Sequence, residues 1–141
     1  MVSDYKKPLP APDEITKPFW DAAAQHEFRL QYCEGCSRYI HPPQPSCPHC
    51  FRVELDWRPV SGRGTVATFA VVHHSGHIPG FGEKDVPYAV GLIDLEEQEA
   101  LRFLSNIVDC DSSDVHIGMP VQAKFEDVTP EVTLVKFHPV A

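Results

Sequence analysis

The alternation of apolar and polar positions changes character near residue 60. Residues 1–14 are polar and Pro-rich and show no period, so they read as an extended arm. The spacing after them predicts a short helix over Lys17–His26, with Thr16 as N-cap and Pro18 in the first turn. Phe19 with Ala23, and Trp20 with Ala24, lie one turn apart on it. Two readings stand for this helix. It packs on its own domain, or Phe19 and Trp20 form part of a surface met by another subunit. From residue 65 the pattern changes to that of strands. Thr65–His74, Tyr88–Leu95, Ala100–Val108, Val121–Phe125 and Val132–Phe137 are short runs rich in β-branched and aromatic residues. Five such strands with turn signals between them predict a small barrel or sandwich. Glu96–Glu99 reads as a tight, solvated turn. The stretch His74–Pro87 is a Gly-rich loop of a length that is often functional. Its Ile78, Pro79 and Phe81 have no chain of their own to form a core, which marks them, like Phe19 and Trp20, as candidates for a partner interface.

Between helix and strands, residues 28–56 carry Cys33, Cys36, Cys47 and Cys50, a C-x2-C-x10-C-x2-C pattern. Two residues between cysteines let a tight turn aim both sulfurs at one point, and two such knuckles close a tetrahedron with no open position. The pattern predicts a structural metal site, with Zn²⁺ as the expected ion and a rubredoxin-like iron centre as the competing occupant. A ribbon of about 30 residues buries too little to fold alone, so the metal supplies folding free energy. Tyr32, Tyr39 and Phe51 are expected to pack around the site and keep it dry. His41 and His49 lie inside the segment, but four thiols already complete the shell.

Composition narrows the function. The net charge is −8, with eight acidic and seven basic side chains in residues 1–60 but twelve against five in residues 61–141. That field repels phosphate backbones and disfavours the reading as a single-stranded nucleic-acid module, which needs a basic groove with stacking aromatics. No apolar run reaches the roughly 18 residues of a membrane span, and the first residues lack the apolar stretch of a secretory signal, so the expected compartment is the cytoplasm. His73, His74 and His77 form an HHxxH cluster broken by Gly, and read as a solvated loop. Cys110 stands between Asp109 and Asp111, whose charges raise a thiol's pKa and argue against a nucleophile. The chain shows no GxSxG, P-loop or GxGxxG and no convincing catalytic set.

The order of these motifs is specific. Pro18-Phe19-Trp20, Cys33-Glu34-Gly35-Cys36, Pro42-Pro43, Cys47-Pro48-His49-Cys50, Trp57, Gly62-Arg63-Gly64, Pro87-Tyr88, Ile117-Gly118-Met119-Pro120-Val121 and Phe137-His138-Pro139 follow one another over residues 15–139. The chain thereby resembles the family of small acyl-CoA-associated proteins with a rubredoxin-like zinc ribbon and an OB-fold. It departs from that family at Ser37 and Phe51, where a Gly often follows each knuckle, and at Glu96-Glu97-Gln98-Glu99, which replaces a Glu-Gly turn. The resemblance implies a mainly β chain with an N-terminal helix, a rubredoxin-like zinc ribbon and a C-terminal five-stranded OB-fold barrel. The parts would be 1–27 (arm and helix), 28–60 (ribbon) and 61–141 (barrel). It further implies a non-catalytic subunit of a hetero-oligomer with a thiolase-like protein that makes or breaks carbon–carbon bonds in acyl-CoA thioesters. If acyl-CoA touches this chain, its phosphates need cations, and Arg38, Arg52, Arg58 and Arg63 are the nearest cluster in sequence. A small electron carrier with iron at the four cysteines is the remaining alternative.

Overall fold

The computed structural model describes residues 4–74, 76 and 78–140. One helix, α1 (Lys17–Ala24), precedes eight strands: β1 (Arg29–Cys33), β2 (Arg38–Ile40), β3 (Asp56–Pro59), β4 (Arg63–Val72), β5 (Tyr88–Leu95), β6 (Arg102–Ile107), β7 (Pro120–Asp127) and β8 (Thr133–Pro139). The first three form an antiparallel sheet ordered β2-β1-β3, and the last five close into a barrel ordered β4-β5-β6-β8-β7. The fold is therefore mainly β, with a helix, a four-cysteine ribbon and a five-stranded OB-type barrel.

The helix stops two residues before the expected His26. The backbone of His26 takes a positive φ of 58°, which cannot continue a right-handed helix. Its ring then stacks on Phe125 and its Nε2 pairs with Asp127 at 2.9 Å, tying the helix exit to β7. The start is also built differently from expectation. Thr16 occupies the N-cap, but its backbone is helical (φ −92°, ψ −17°) and its hydroxyl caps no helix N–H. Instead Asp13 accepts from the amides of Ile15 and Thr16, and Thr16 Oγ1 accepts from the amide of Asp13.

Barrel closure rests on β4, which pairs with β5 along its length and with β7 at Arg63, Gly64 and Thr65. Gly64 is required there, because a Cβ would stand 2.4 Å from the Asp94 carbonyl oxygen. The opposite junction is weaker. β6 meets β8 in parallel at a single backbone pair, Ile107 with Phe137, and beyond it the Ser105 hydroxyl bridges to the Val135 carbonyl at 2.5 Å.

Alternation along β5 sends Ala89, Gly91, Ile93 and Leu95 inward, where Ile93 meets Val66, Val121 and Phe137 in one continuous core. Phe19 of the helix and Phe28 and Leu30 of the ribbon belong to the same core. Phe28 sits edge-on to Phe103 at 5.1 Å and to Phe137 at 6.2 Å, while Phe19 meets Phe28 at 6.3 Å and Phe103 at 5.7 Å. Phe19 is thus an internal anchor, 8% exposed, which corrects the expectation that the short helix leaves it uncovered.

The turn Glu96–Glu99 is also corrected, since it clasps the ribbon rather than facing solvent alone. Gln98 accepts from the Tyr39 amide at 2.8 Å and donates to the Tyr39 carbonyl at 3.1 Å. Glu97 accepts from the Ser61 amide at 2.6 Å, and Glu96 accepts from the Ser61 hydroxyl and from Arg63. An edge strand's free backbone groups demand such partners when they are covered. Gln98→Ala should therefore lower stability by about 1–2 kcal/mol. In urea unfolding the midpoint should fall with the slope unchanged, and an unmoved midpoint would show that the clasp is solvated.

Candidate metal centre and the seam beside it

Cys33 ends β1 and Cys36 precedes β2, so the first knuckle is the hairpin turn of the ribbon. Cys47 and Cys50 come from the loop that returns to β3. Buried Gln31 holds that loop, its amide donating to the Gln44 carbonyl and accepting from the Gln44 amide, both at 2.8 Å. All four sulfurs lie within 4.8 Å of one another, with Cys33 to Cys50 at 3.6 Å and Cys36 to Cys47 at 3.8 Å. Four ligands at about 2.3 Å from one centre, tetrahedrally placed, stand about 3.8 Å apart, so the donor set fits one thiolate-loving ion. Among the described residues this is the group of His, Cys, Asp and Glu whose ligand atoms converge on one point, and neither His41 nor His49 joins it.

The chemistry of the set agrees. Backbone N–H groups of Cys50 and His49 hold the Cys47 thiol down at about 6, and hydrogen bonds with the other cysteine sulfurs, Cys50 foremost, push Cys36 up to about 12. Four thiols packed together cannot all ionise unless a cation offsets the charge, so metal binding here releases protons. Ser37 and Phe51 follow the two knuckles at φ of 53° and 65°, the left-handed turn that favours Gly. That geometry throws Phe51 outward, 75% exposed, which corrects its expected role as a cover. Ile40 and Leu55 pack on the buried Cys33 and Cys47, and Tyr32 and Tyr39 meet edge-on at 5.0 Å along the ribbon.

The other candidates separate. Arg58 pairs with Glu34 and Asp56 and lies over the Tyr32 ring at 4.0 Å, and Arg63 pairs with Glu96, so both are committed to carboxylates of their own chain. Arg38 and Arg52 are exposed, and among the described residues no carboxylate pairs with either. His73 and His74 are exposed, and His77 lies outside the described residues. The Cys110 thiol is pushed up by burial first and by Asp114, Asp111 and Asp109 after it.

Where β6 and β8 diverge, the surface opens into a groove of about 370 Å³ lined by Phe19, Trp20, His41, Phe103, Leu104 and Val135 among others. A second depression, holding Phe81 and Tyr88, adjoins it through the shared Asn106, Leu134 and Lys136. Trp20 is half-buried at one end of this seam, and Phe81 is half-buried at the other, packed on Tyr88 and under the Lys7 ammonium. Leu104 is 65% exposed beside them, and Ile78 is exposed on the adjoining loop. Leu104 was not singled out from sequence. The signal for it was its place between the inward residues Phe103 and Ile107 of a strand, on the outward face.

Models of the ChsH2 rubredoxin-like zinc ribbon and the ChsH2 C-terminal OB-fold domain match residues 20–56 and 57–126. A DUF35 domain-containing scaffold protein of Methanothermobacter thermautotrophicus is 34% identical, over 70% of this chain and 71% of its own. The chain belongs to the ChsH2/DUF35 family. The solved structure of the Ltp2-ChsH2(DUF35) aldolase contains a family member that superposes with a TM-score of 0.83 at 34% identity, covering 94% of this chain and 100% of that one. The 3-oxo-4,17-pregnadiene-20-carboxyl-CoA hydratase alpha subunit of Mycobacterium tuberculosis is 37% identical over 92% of this chain. The ChsH2-type sequence described here spans only 39% of that subunit's length, so the larger protein carries substantial further chain. No helix of the described residues is long and apolar enough to cross a membrane.

His41 is the seam residue whose protonation the fold controls. It stacks on Phe103 at 4.8 Å, its Nδ1 is buried without a hydrogen-bond partner, and burial lowers its pKa from 6.5 to about 4. The neutral form is favoured in the folded state. Its contribution is therefore complete above pH 6.5 and declines as pH falls toward 4, because over that window the unfolded chain takes up a proton that the folded chain refuses. Relative to His41→Phe, the wild type should lose up to about 3 kcal/mol between pH 6.5 and 4. Thiol protonation is common to both proteins and cancels in the difference. A pH-independent difference in unfolding free energy would place His41 in solvent.

Proposed function

We propose that the chain is a non-catalytic scaffold subunit that holds Zn²⁺ through Cys33, Cys36, Cys47 and Cys50. It assembles with a thiolase-type subunit that makes or breaks carbon–carbon bonds in acyl-CoA thioesters, and completes that partner's fold or its acyl-CoA site. The observation that carries this reading is the correspondence, across the whole matched chain, with the DUF35 member of an aldolase complex. Zinc rather than iron is supported by the zinc-ribbon family match and by the closed thiolate shell, and four free thiols suit a reducing compartment, the cytoplasm. Zn²⁺ in such a site supplies structure. The cysteines anchor β1 and β2, and through them Phe28 and Leu30 are held in the barrel core.

The partner face proposed is the seam. What supports it is that the depressions holding Trp20 and Phe81 share Asn106, Leu134 and Lys136, that exposed Leu104 lines the first, and that Ile78 is exposed on the loop that carries Phe81. Phe19 supports the seam from below. Direct contact with acyl-CoA is left to Arg38 and Arg52, the two of the four arginines free of carboxylate partners.

Cys33→Ser or Cys50→Ser should abolish metal binding and loosen the ribbon. Elemental analysis should find one zinc per wild-type chain and none in the variants, whereas iron with visible absorbance would favour the electron carrier. For the seam, Leu104→Asp and Trp20→Ala should each weaken association with the co-expressed thiolase-type subunit. An aromatic anchor such as Trp20 costs roughly 2 kcal/mol or more, and an unpaired carboxylate buried at position 104 costs about as much, so the pair together should lose about a thousandfold in affinity. Zinc content should stay at the wild-type level. A double variant that still co-elutes with the partner at nanomolar concentration would move the interface elsewhere.

A further inference from the structure

Besides offering a phosphate contact, Arg52 stands beside the backbone of the first knuckle. A methyl group placed on Gly35 would stand 3.1 Å from Arg52 Nη1, 3.7 Å from Cys33 Sγ and 3.8 Å from Cys50 Sγ. The guanidinium and two of the four sulfurs therefore face one bare point of the first knuckle's backbone. The backbone of residue 52 is fixed there as well, because its carbonyl accepts from the amide of Cys47 at 2.9 Å, and the Phe51 amide donates to the Cys47 carbonyl at 2.8 Å. The acid nearest in sequence to the first knuckle, Glu34, is drawn away to Arg58 at 2.8 Å. Among the described residues no other carboxylate pairs with Arg52.

We infer that Arg52 is the counter-charge of the metal centre, a positioning residue whose guanidinium reaches across Gly35 to the Cys33 and Cys50 thiolates. This rests on the zinc reading. Four thiolates on a divalent ion leave a net charge of −2, since −4 + 2 = −2, and Cys50 is exposed, so that charge lies at the surface where water and competing ligands arrive. A cation beside the shell lowers the energy of the sulfur lone pairs and offsets the charge the shell carries. Gly35 is then the residue that makes room for it. The exposed neighbours Phe51 and Val53 leave the guanidinium accessible to salt, so the effect is ionic-strength dependent.

The test uses the full chain, loaded with Zn²⁺ for kinetics and with Co²⁺ for spectroscopy. Zinc release to an excess of a chromophoric chelator should be about three- to tenfold faster in Arg52→Gln than in wild type at low salt. Arg52→Lys should be intermediate, and the gap should narrow as salt rises to about 1 M. In the Co²⁺ forms the thiolate-to-metal charge-transfer band should move to longer wavelength in Arg52→Gln, because removing the cation raises the sulfur donor levels. Lys should restore most of that shift. Gly35→Ala, which crowds the guanidinium without removing its charge, should move release and band in the same direction. Equal release rates and an unmoved band in Arg52→Gln would overturn the inference. Faster release that ignores salt and leaves the band in place would make Arg52 a packing residue, and would overturn it too. A wild-type chain that binds no metal would remove the zinc reading itself and this inference with it.

Discussion

The contact of Phe28 with Phe103 is what the rest of the molecule depends on. Phe28 lies between the helix and the first ribbon strand, and Phe103 belongs to the barrel, so their edge-on packing joins three pieces that otherwise share little backbone. Phe19 and Phe137 complete the cluster from either side. Aromatic pairs of this geometry contribute roughly 0.5–1.5 kcal/mol each beyond the area they bury. The larger effect is positional. With Phe28 seated, β1 runs at a fixed angle to the barrel, and the cysteine that ends it points away from the core at a defined place.

Metal and core are consequently parts of one system. The ribbon sheet has three short strands, and β1, its centre, is gripped at one end by Phe28 and Leu30 in the barrel core and at the other by Cys33 in the knuckle pair. Closing the thiolate shell orders the hairpin, and the ordered hairpin presents Tyr39 to Gln98 and His41 to Phe103. A small chain with a modest core gains much of its rigidity from such a closure. The geometry of the seam, which His41 and Phe103 help to line, is thereby tied to how the four-cysteine site closes.

Much of this was legible in the residues. The two CxxC pairs announced the converging sulfurs because their spacing leaves few other uses. Short apolar and β-branched runs between turn signals located all five barrel strands, with Tyr88–Leu95 placed to the residue. The ribbon strands escaped, since Arg29–Cys33 and Arg38–Ile40 are short and half-buried and show no clean alternation. Glu96–Glu99 was misjudged for a different reason. Four polar residues look solvated in a one-dimensional pattern, and the free β2 edge that Gln98 satisfies is distant by 59 positions. Phe19 was misplaced likewise, because its cover comes from Phe28 and Phe103 rather than from its own helix. The two family domains meet at residues 56 and 57, within β3, so the sequence boundary falls where the structure has a paired strand.

The single backbone pair between β6 and β8 has a consequence for how the barrel moves. A hoop breathes at its weakest joint. Every other junction of the ring is held by three or more paired residues, whereas this one is held by Ile107 with Phe137 and by the side chain of Ser105. The ring is therefore most easily opened along one line, opposite the continuously paired wall of β4 and β5. Whatever seats in that line acts as a stave across the weakest joint of the hoop, against Phe103 of the barrel and His41 of the ribbon.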